Sequence, residues 1–269
     1  MYAPAVPQND ACRQAAELLR AARRVVVLTG AGISTESGIP DFRSPGGLWS
    51  RYDPSKLTFD RFRANLETRK LYWQIACQSY PLMRDALPNA AHEAFVAIER
   101  AGRLLALVTQ NVDGLHQKAG SSPERTIEIH GTAMGVVCID CGQRADREAI
   151  HRQVLAGDEA PVCDACGGPL KPATISFGQA MPERETAAAF RAAAECDLMI
   201  VAGSSLVVYP AAGLPEEAVR AGARLVIVNR EPTGHDALAS VVVHGSAGES
   251  MRRIVAEAGI APAGAVYDA

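Results

Sequence analysis

The 269-residue sequence contains no apolar stretch approaching the 18 residues that a membrane-spanning helix requires. It also shows no secretory leader, since the apolar run at residues 25–28 is too short and Asp10 and Glu17 precede it. A cytoplasmic protein without a membrane partner is therefore expected. No basic excess is present: 27 Lys and Arg stand against 30 Asp and Glu, a net charge of -3. Such a chain exerts no long-range pull on nucleic acid, and a lysine-rich protein tail would have to be recognised locally. Internal repeats and low-complexity tracts are missing. So is any serine elbow or cysteine nucleophile motif, which leaves acyl-enzyme hydrolysis without support. The seven cysteines are odd in number and do not suit a disulfide framework.

The remaining sequence alternates helix and strand signals. Ala15, Leu18, Leu19 and Ala22 recur at helical spacing, and the apolar run 25–28 follows as a buried strand. Asn89 reads as an N-cap for a helix with Phe95 and Ile98 on its apolar face. Further strands are expected at 104–108, 198–202, 225–228 and 241–243, with helices at 185–194, 211–221 and 249–258. Apolar strands separated by helices indicate a parallel sheet covered on both faces, a Rossmann-like α/β architecture.

Two stretches break the alternation. Residues 41–84 are rich in aromatics, arginines and turn residues, with a helical part near 65–79, and residues 136–171 carry paired cysteines. The expected organisation is one catalytic core. Its Rossmann-like part comprises about 1–40, 85–135 and 172–269, and the smaller lobe is a helical module with a loop at about 41–84 and a cysteine ribbon at about 136–171.

Four polar segments each follow an expected strand: Gly30-Ala31-Gly32, Gln110-Asn111, Gly203-Ser204-Ser205 and Asn229. Ligands of open α/β sheets bind beyond the carboxyl ends of the strands, so these loops mark one rim. The glycine turn suits a nucleotide pyrophosphate, but Thr35 occupies the place of a dehydrogenase's third glycine. Beyond it, Glu36, Asp41, Phe42 and Arg43 lie on a loop broken by Gly38 and Pro40. Gln110, Asn111 and Asp113 offer two amides and a carboxylate that suit ribose hydroxyls or a water, or alternatively cap a helix. A short alternating strand at 127–130 ends in His130, whose ordinary pKa near 6.5 fits a general base. His92, His116, His151, His235 and His244 are taken as structural or exposed.

Cys138-x-x-Cys141 and Cys163-x-x-Cys166 are separated by 21 residues, and Gly142 and Gly167 follow the pairs to permit tight turns. Two such knuckles supply the tetrahedral thiolate shell preferred by Zn²⁺. With four protein ligands no position is left for water, so a single structural zinc is expected. Cys12, Cys77 and Cys196 read as small buried residues.

In this combination and order the motifs resemble those of the sirtuins, NAD-dependent protein deacylases. The resemblance rests on Gly30-Ala31-Gly32-Ile33-Ser34, Gly38-Ile39-Pro40-Asp41-Phe42-Arg43, Thr109-Gln110-Asn111-Val112-Asp113-Gly114-Leu115-His116, His130-Gly131, the four cysteines, Gly203-Ser204-Ser205-Leu206 and Asn229. It implies a bacterial-type single catalytic domain that uses NAD as a consumed co-substrate and takes an acyl-lysine protein or peptide as partner. By the same resemblance the acyl group passes to ADP-ribose and nicotinamide is released. His130 acts as general base, Asn111 holds ribose or water, and Asp113 grips the nicotinamide carboxamide. Phe42, Arg43 and Gln110 lie close to the reactive sugar, and Ser204, Ser205 and Asn229 bind the phosphate and adenosine side. Transfer of ADP-ribose to protein at the same site is the alternative. Ser176 and Gln179 depart from the usual residues of the peptide-binding stretch. Relatives that remove succinyl or malonyl groups carry Tyr-x-x-Arg, whereas here Tyr72 is followed by Ile75. A preference for neutral acyl groups such as acetyl is the expectation. No oligomeric state follows from these residues.

Overall fold

A computed structural model describes residues 8–41, 47 and 50–261. The chain opens with α1 (Gln8–Ala21) and β1 (Val25–Thr29), all five residues of which are buried. Two short 3₁₀ turns (Ala31–Ile33 and Thr35–Ser37) lead into the loop that precedes the helical segment, α2 (Phe59–Ala64) and α3 (Leu66–Asp85). Asn65 caps α3 by accepting from Thr68 N at 3.1 Å. The helix runs past the expected 65–79 and through Pro81. Pro81 has no N–H to give to Cys77 O, so the ladder of α3 lacks one bond near its carboxyl end.

The α/β alternation then proceeds through α4 (Ala90–Arg100), β2 (Leu104–Thr109), α5 (Leu115–Ala119), β3 (Thr126–Glu128), α7 (Glu183–Glu195), β7 (Leu198–Ala202), α8 (Leu214–Arg220), β8 (Arg224–Asn229), β9 (Val241–His244) and α9 (Ala247–Glu257). Asn89 caps α4 in a reciprocal box, its side chain accepting from Ala91 N while His92 Nδ1 accepts from Asn89 N. The six strands form one parallel sheet in the order β3-β2-β1-β7-β8-β9. The chain moves outward from β1 in one direction, returns, and moves outward from β7 in the other. The gap between β1 and β7 is therefore the topological switch where α/β sheets bind ligands. One apolar layer gathers Leu19, Phe95, Ile98, Met251 and Ile254 from α1, α4 and α9 on one face; a second gathers Ala189, Ala193, Leu214 and Ala218 from α7 and α8 on the other.

The cysteine segment forms a second, three-stranded antiparallel sheet, β5-β4-β6, from β4 (Gly131–Cys138), β5 (Arg144–Ala145) and β6 (Leu170–Thr174). Between its knuckles lies α6 (Arg147–Leu155), a helix not expected from the glycine and proline content of this stretch. Asp146 caps it by accepting from Ala149 N at 2.7 Å. Trp73, Val136, Ile150 and Leu170 form a separate small core here, and the Trp73 indole donates to Leu170 O at 3.0 Å. Buried indoles need such a partner, and this one locks α3 to the ribbon.

The strand expected at 127–130 ends two residues early, at Glu128. Its partner β2 stops at Thr109, and Ile129 N makes the last bond, to Thr109 O. His130 therefore sits in the junction between the two sheets rather than at a strand end. Among the described residues no helix is long and apolar enough to cross a membrane.

Candidate active site

The loops after β1, β2, β7 and β8 meet at the carboxyl edge of the parallel sheet and line a cavity of about 930 Å³. Gly30, Ala31, Gly32, Asp41, Gln110, Asn111, His130, Gly203, Ser204, Ser205 and Asn229 all lie on its wall. The glycines have a role that the sequence only partly conveys. Gly30 N donates to Ala202 O and Gly32 N to Gly203 O, so neither amide points at the cavity. A Cβ on Gly30 would stand 2.7 Å from Gly203 O, and one on Gly203 (φ +62) would stand 2.4 Å from Ile33 N. The glycines thus let the β1 and β7 loops touch, closing the floor at the switch point.

Asn111 is nearly buried and oriented from two sides. Its amide nitrogen donates to Gly30 O at 3.1 Å and to Ser34 Oγ at 3.2 Å, while its backbone N–H is held by Thr109 Oγ1. Gln110 Nε2 donates to Ser204 Oγ at 2.9 Å, tying the β2 loop to the β7 loop. Leu206, just beyond, has φ 54, the left-handed region that a leucine seldom enters. This is the kind of local strain that a rigid surround maintains beside a working site.

His130 lies 3.2 Å from Gln110 O through Nδ1. A carbonyl can only accept, so Nδ1 carries the proton and Nε2 holds the lone pair. Burial lowers the ring's pKa, and the bond to Gln110 O opposes this only in part. The imidazole is therefore neutral at neutral pH, with Nε2 ready to take a proton. Gly131 (φ +71) follows, and a Cβ there would stand 2.1 Å from Ala173 O. Ile175 N donates to His130 O at 2.8 Å, fixing the histidine against the extension of β6.

Two residues expected at the site stand off its wall. Asp113 is buried and accepts from Ser34 Oγ at 2.7 Å and from Leu115 N at 2.9 Å, so it braces Asn111 through Ser34. Glu36 accepts from Gly248 N at 2.8 Å, at the amino end of α9, where the helix dipole favours a carboxylate. Phe42 and Arg43 lie outside the described residues. Tyr72 and Ile75, read from sequence as bearing on acyl preference, also line the cavity; sequence reasoning missed Ser79, Met83, Met181 and Tyr209, and also Gly245, Ser246 and Ala247, all of which line it as well. The last three follow β9, and the strand-end rule applied to that strand would have found them.

The four cysteines gather away from this cavity, their sulfur atoms all within 4.8 Å of one another. Sγ of Cys138 and Cys166 are 3.5 Å apart, and those of Cys141 and Cys163 are 3.7 Å apart. Tetrahedral zinc with bonds of about 2.3 Å sets its sulfurs about 3.8 Å apart, so the cluster fits the ion. Each knuckle closes in the same way: Gly142 N donates to Cys138 O and Gly167 N to Cys163 O. None of the four lines the cavity, which makes the zinc structural.

The profile of the Sir2 family matches residues 30–210. The chain belongs to the Sir2 family. Among relatives it is 46% identical over 235 residues to an NAD-dependent protein deacetylase 1 of Bradyrhizobium diazoefficiens, covering 87% of this chain and 91% of that protein. It is 43% identical to an NAD-dependent protein deacylase 2 of Archaeoglobus fulgidus, covering 93% and 96% of the two chains. Among solved structures, a Sir2 protein with a deacetylated p53 peptide and 3'-O-acetyl ADP ribose superimposes with a TM-score of 0.85 at 38% identity, over 93% of this chain and 99% of that one. A Sir2 protein bound to a propionylated peptide gives 0.81 at 37%, over 91% and 97%. The fold of this Sir2 chain, a Rossmann-like parallel sheet with a cysteine-clustered ribbon, is that of its family.

Proposed function

We propose that this chain is an NAD-dependent protein-lysine deacylase whose site is the cavity at the β1–β7 switch. The observation that carries the reading is His130: a neutral imidazole with its Nδ1 proton spent on Gln110 O and its Nε2 available beside the strand-end loops. NAD, when bound, supplies a ribose whose bond to nicotinamide can be exchanged for a bond to the acyl oxygen of the lysine. Gly30, Ala31 and Gly32 would lie against the pyrophosphate, Asp41, Gln110 and Asn111 would face the nicotinamide-side ribose, and Gly203, Ser204, Ser205 and Asn229 the phosphate and adenosine side. Nε2 of His130 takes a proton from a ribose hydroxyl so that the acyl group can pass to it. Asn111, with its nitrogen committed to Gly30 O and Ser34 Oγ, offers its amide oxygen to a hydroxyl or a water. Asp113 and Glu36 act from behind the wall.

The chain divides in this reading into a Rossmann-like domain (about 1–40, 85–135 and 172–269), a helical module (about 41–84) and a zinc ribbon (about 136–171). The separate small core around Trp73 supports the division. An acyl-lysine protein is the partner. A cytoplasmic location suits four cysteines held as thiolate ligands rather than disulfides.

The test is incubation of the purified protein with NAD and an acetyl-lysine peptide. Nicotinamide and O-acetyl-ADP-ribose are the expected products, and His130→Ala loses turnover while retaining NAD binding. Full turnover in His130→Ala would refute the assignment, and ADP-ribose attached to protein in place of O-acetyl-ADP-ribose would replace deacylation by transfer.

A further inference from the structure

Two walls of the cavity come from segments distant in sequence. Ile75, Ser79 and Met83 face it from α3, and Asn111 and Val112 from the loop after β2. Groups held on two walls react only when the walls stand in a fixed relation, so whatever ties them together sets the alignment.

The helix itself holds the carboxyl end of α3 weakly. Pro81 supplies no N–H to the turn before it. The Ser79 hydroxyl bends back on the same turn, donating to Ile75 O at 3.0 Å and to Ala76 O at 3.4 Å. The helix stops at Asp85, where Ala86 N donates to Leu82 O at 3.1 Å. Beyond that bond, Met83 O and Arg84 O have no later N–H of the helix within reach.

One side chain takes these acceptors. The Lys118 ammonium donates to Met83 O at 3.2 Å, to Arg84 O and to Ala86 O at 3.1 Å. An ammonium has three protons and can only donate, so the three carbonyls use all of them. A cation here also answers the negative pole of the helix. Lys118 does not line the cavity. It stands on α5, which begins where the loop carrying Asn111 ends: Leu115 N donates to Asp113 at 2.9 Å, and Lys118 N to Gly114 O at 3.1 Å. From the other side, Arg84 Nη1 donates to Glu148 of the ribbon at 3.2 Å. The last turn of α3 is therefore held between the ribbon and the segment that bears Asn111.

We infer that Lys118 is a positioning residue for the reaction, fastening the cavity-lining end of α3 to the Asn111 loop so that reactants divided between these walls meet in register. The inference rests on the deacylase reading of the cavity and adds to it a residue that touches neither reactant.

The test compares Lys118→Met, which keeps a long stem and removes the donors, with Lys118→Arg, which keeps donors and charge. NAD and an acetyl-lysine peptide are supplied at a temperature well below the melting point of every variant. In Lys118→Met, kcat is expected to fall at least threefold, with the separately measured dissociation constants for NAD and peptide within twofold of wild type. In Lys118→Arg, kcat is expected to stay within twofold of wild type. A helix cap without bearing on the reaction would lower the melting temperature of Lys118→Met and leave kcat as it was; that result would overturn the inference. Equal losses of kcat in both variants would overturn it too, as would a fall in NAD or peptide affinity as large as the fall in kcat. Absence of turnover by the wild-type protein would overturn the deacylase reading itself, and the inference with it.

Discussion

Ser34 Oγ donates to the Asp113 carboxylate at 2.7 Å while accepting from Asn111 Nδ2 at 3.2 Å, so a buried serine passes the orientation of an acid to an amide on the cavity wall. Asp113→Ala removes the acceptor of both Ser34 Oγ and Leu115 N inside the protein. Stranding two buried donors costs about 2–4 kcal/mol, to be read from urea unfolding. Deacylation should fall at least tenfold because Asn111 loses its brace. Wild-type stability and rate in this variant would remove Asp113 from the site's support.

The acid side of the rate profile reports His130. Its pKa is lowered by burial, so the neutral, proton-accepting form persists below the ordinary histidine value of about 6.5. The logarithm of kcat/KM should stay level from pH 8 down to about 6.5 and bend downward only below it. A midpoint above 6.5 would contradict the buried, neutral imidazole.

Acid stability is set by a different pair. His92 and His116 are buried with ring centres 5.0 Å apart. Burial holds His92 down to about 4, and burial plus the neighbouring His92 holds His116 well below the usual range. The unfolded chain, whose histidines titrate near 6.5, then binds more protons than the folded one. Stability is full above that pH and is lost as pH falls toward 4, by on the order of 3 kcal/mol for His92 alone. Unfolding free energy measured from pH 7 to 4.5 should show this slope, and His92→Gln should make it shallower, with buried His116 keeping the rest.

Metal content gives a further prediction. The protein should carry one equivalent of zinc by mass spectrometry under non-denaturing conditions, and Cys166→Ser should reduce that content and lower the melting temperature. A protein that keeps its melting temperature after complete chelation would not use the cluster structurally.

Gly203 tests the contact between the two loops. Gly203→Ala places a Cβ 2.4 Å from Ile33 N at a positive φ. The loops must separate, costing about 1–3 kcal/mol, and NAD binding should weaken at least tenfold. Unchanged NAD affinity would show that the floor tolerates the separation.

Much of this was legible in the sequence because the relevant signals are local. Apolar runs marked β1, β2, β7 and β8, and the polar residues immediately after them are those on the cavity wall. The Cys-x-x-Cys pairs with their following glycines gave the knuckles. What escaped depends on contacts between distant segments. Glu36 reads as a cofactor contact because it follows the glycine turn, yet its partner Gly248 is 212 residues away. Tyr72 and Thr174 share a wall only after β6 has packed beside α3. Asp113 was expected at the ligand; Ser34 and Leu115 each donate to one of its oxygens, and the first of these partners is distant in sequence. The helix α6 was masked by surrounding turn residues, although Asp146 ahead of Ile150 carries an N-cap signal.

β4 begins directly after His130 and ends at Cys138. His130 and Cys138, a member of the cysteine cluster, therefore stand at opposite ends of one strand, roughly 25 Å of extended chain. The same strand pairs with β6 on one side and β5 on the other, so the ribbon's sheet is what carries the chain from the cavity to the cysteine cluster.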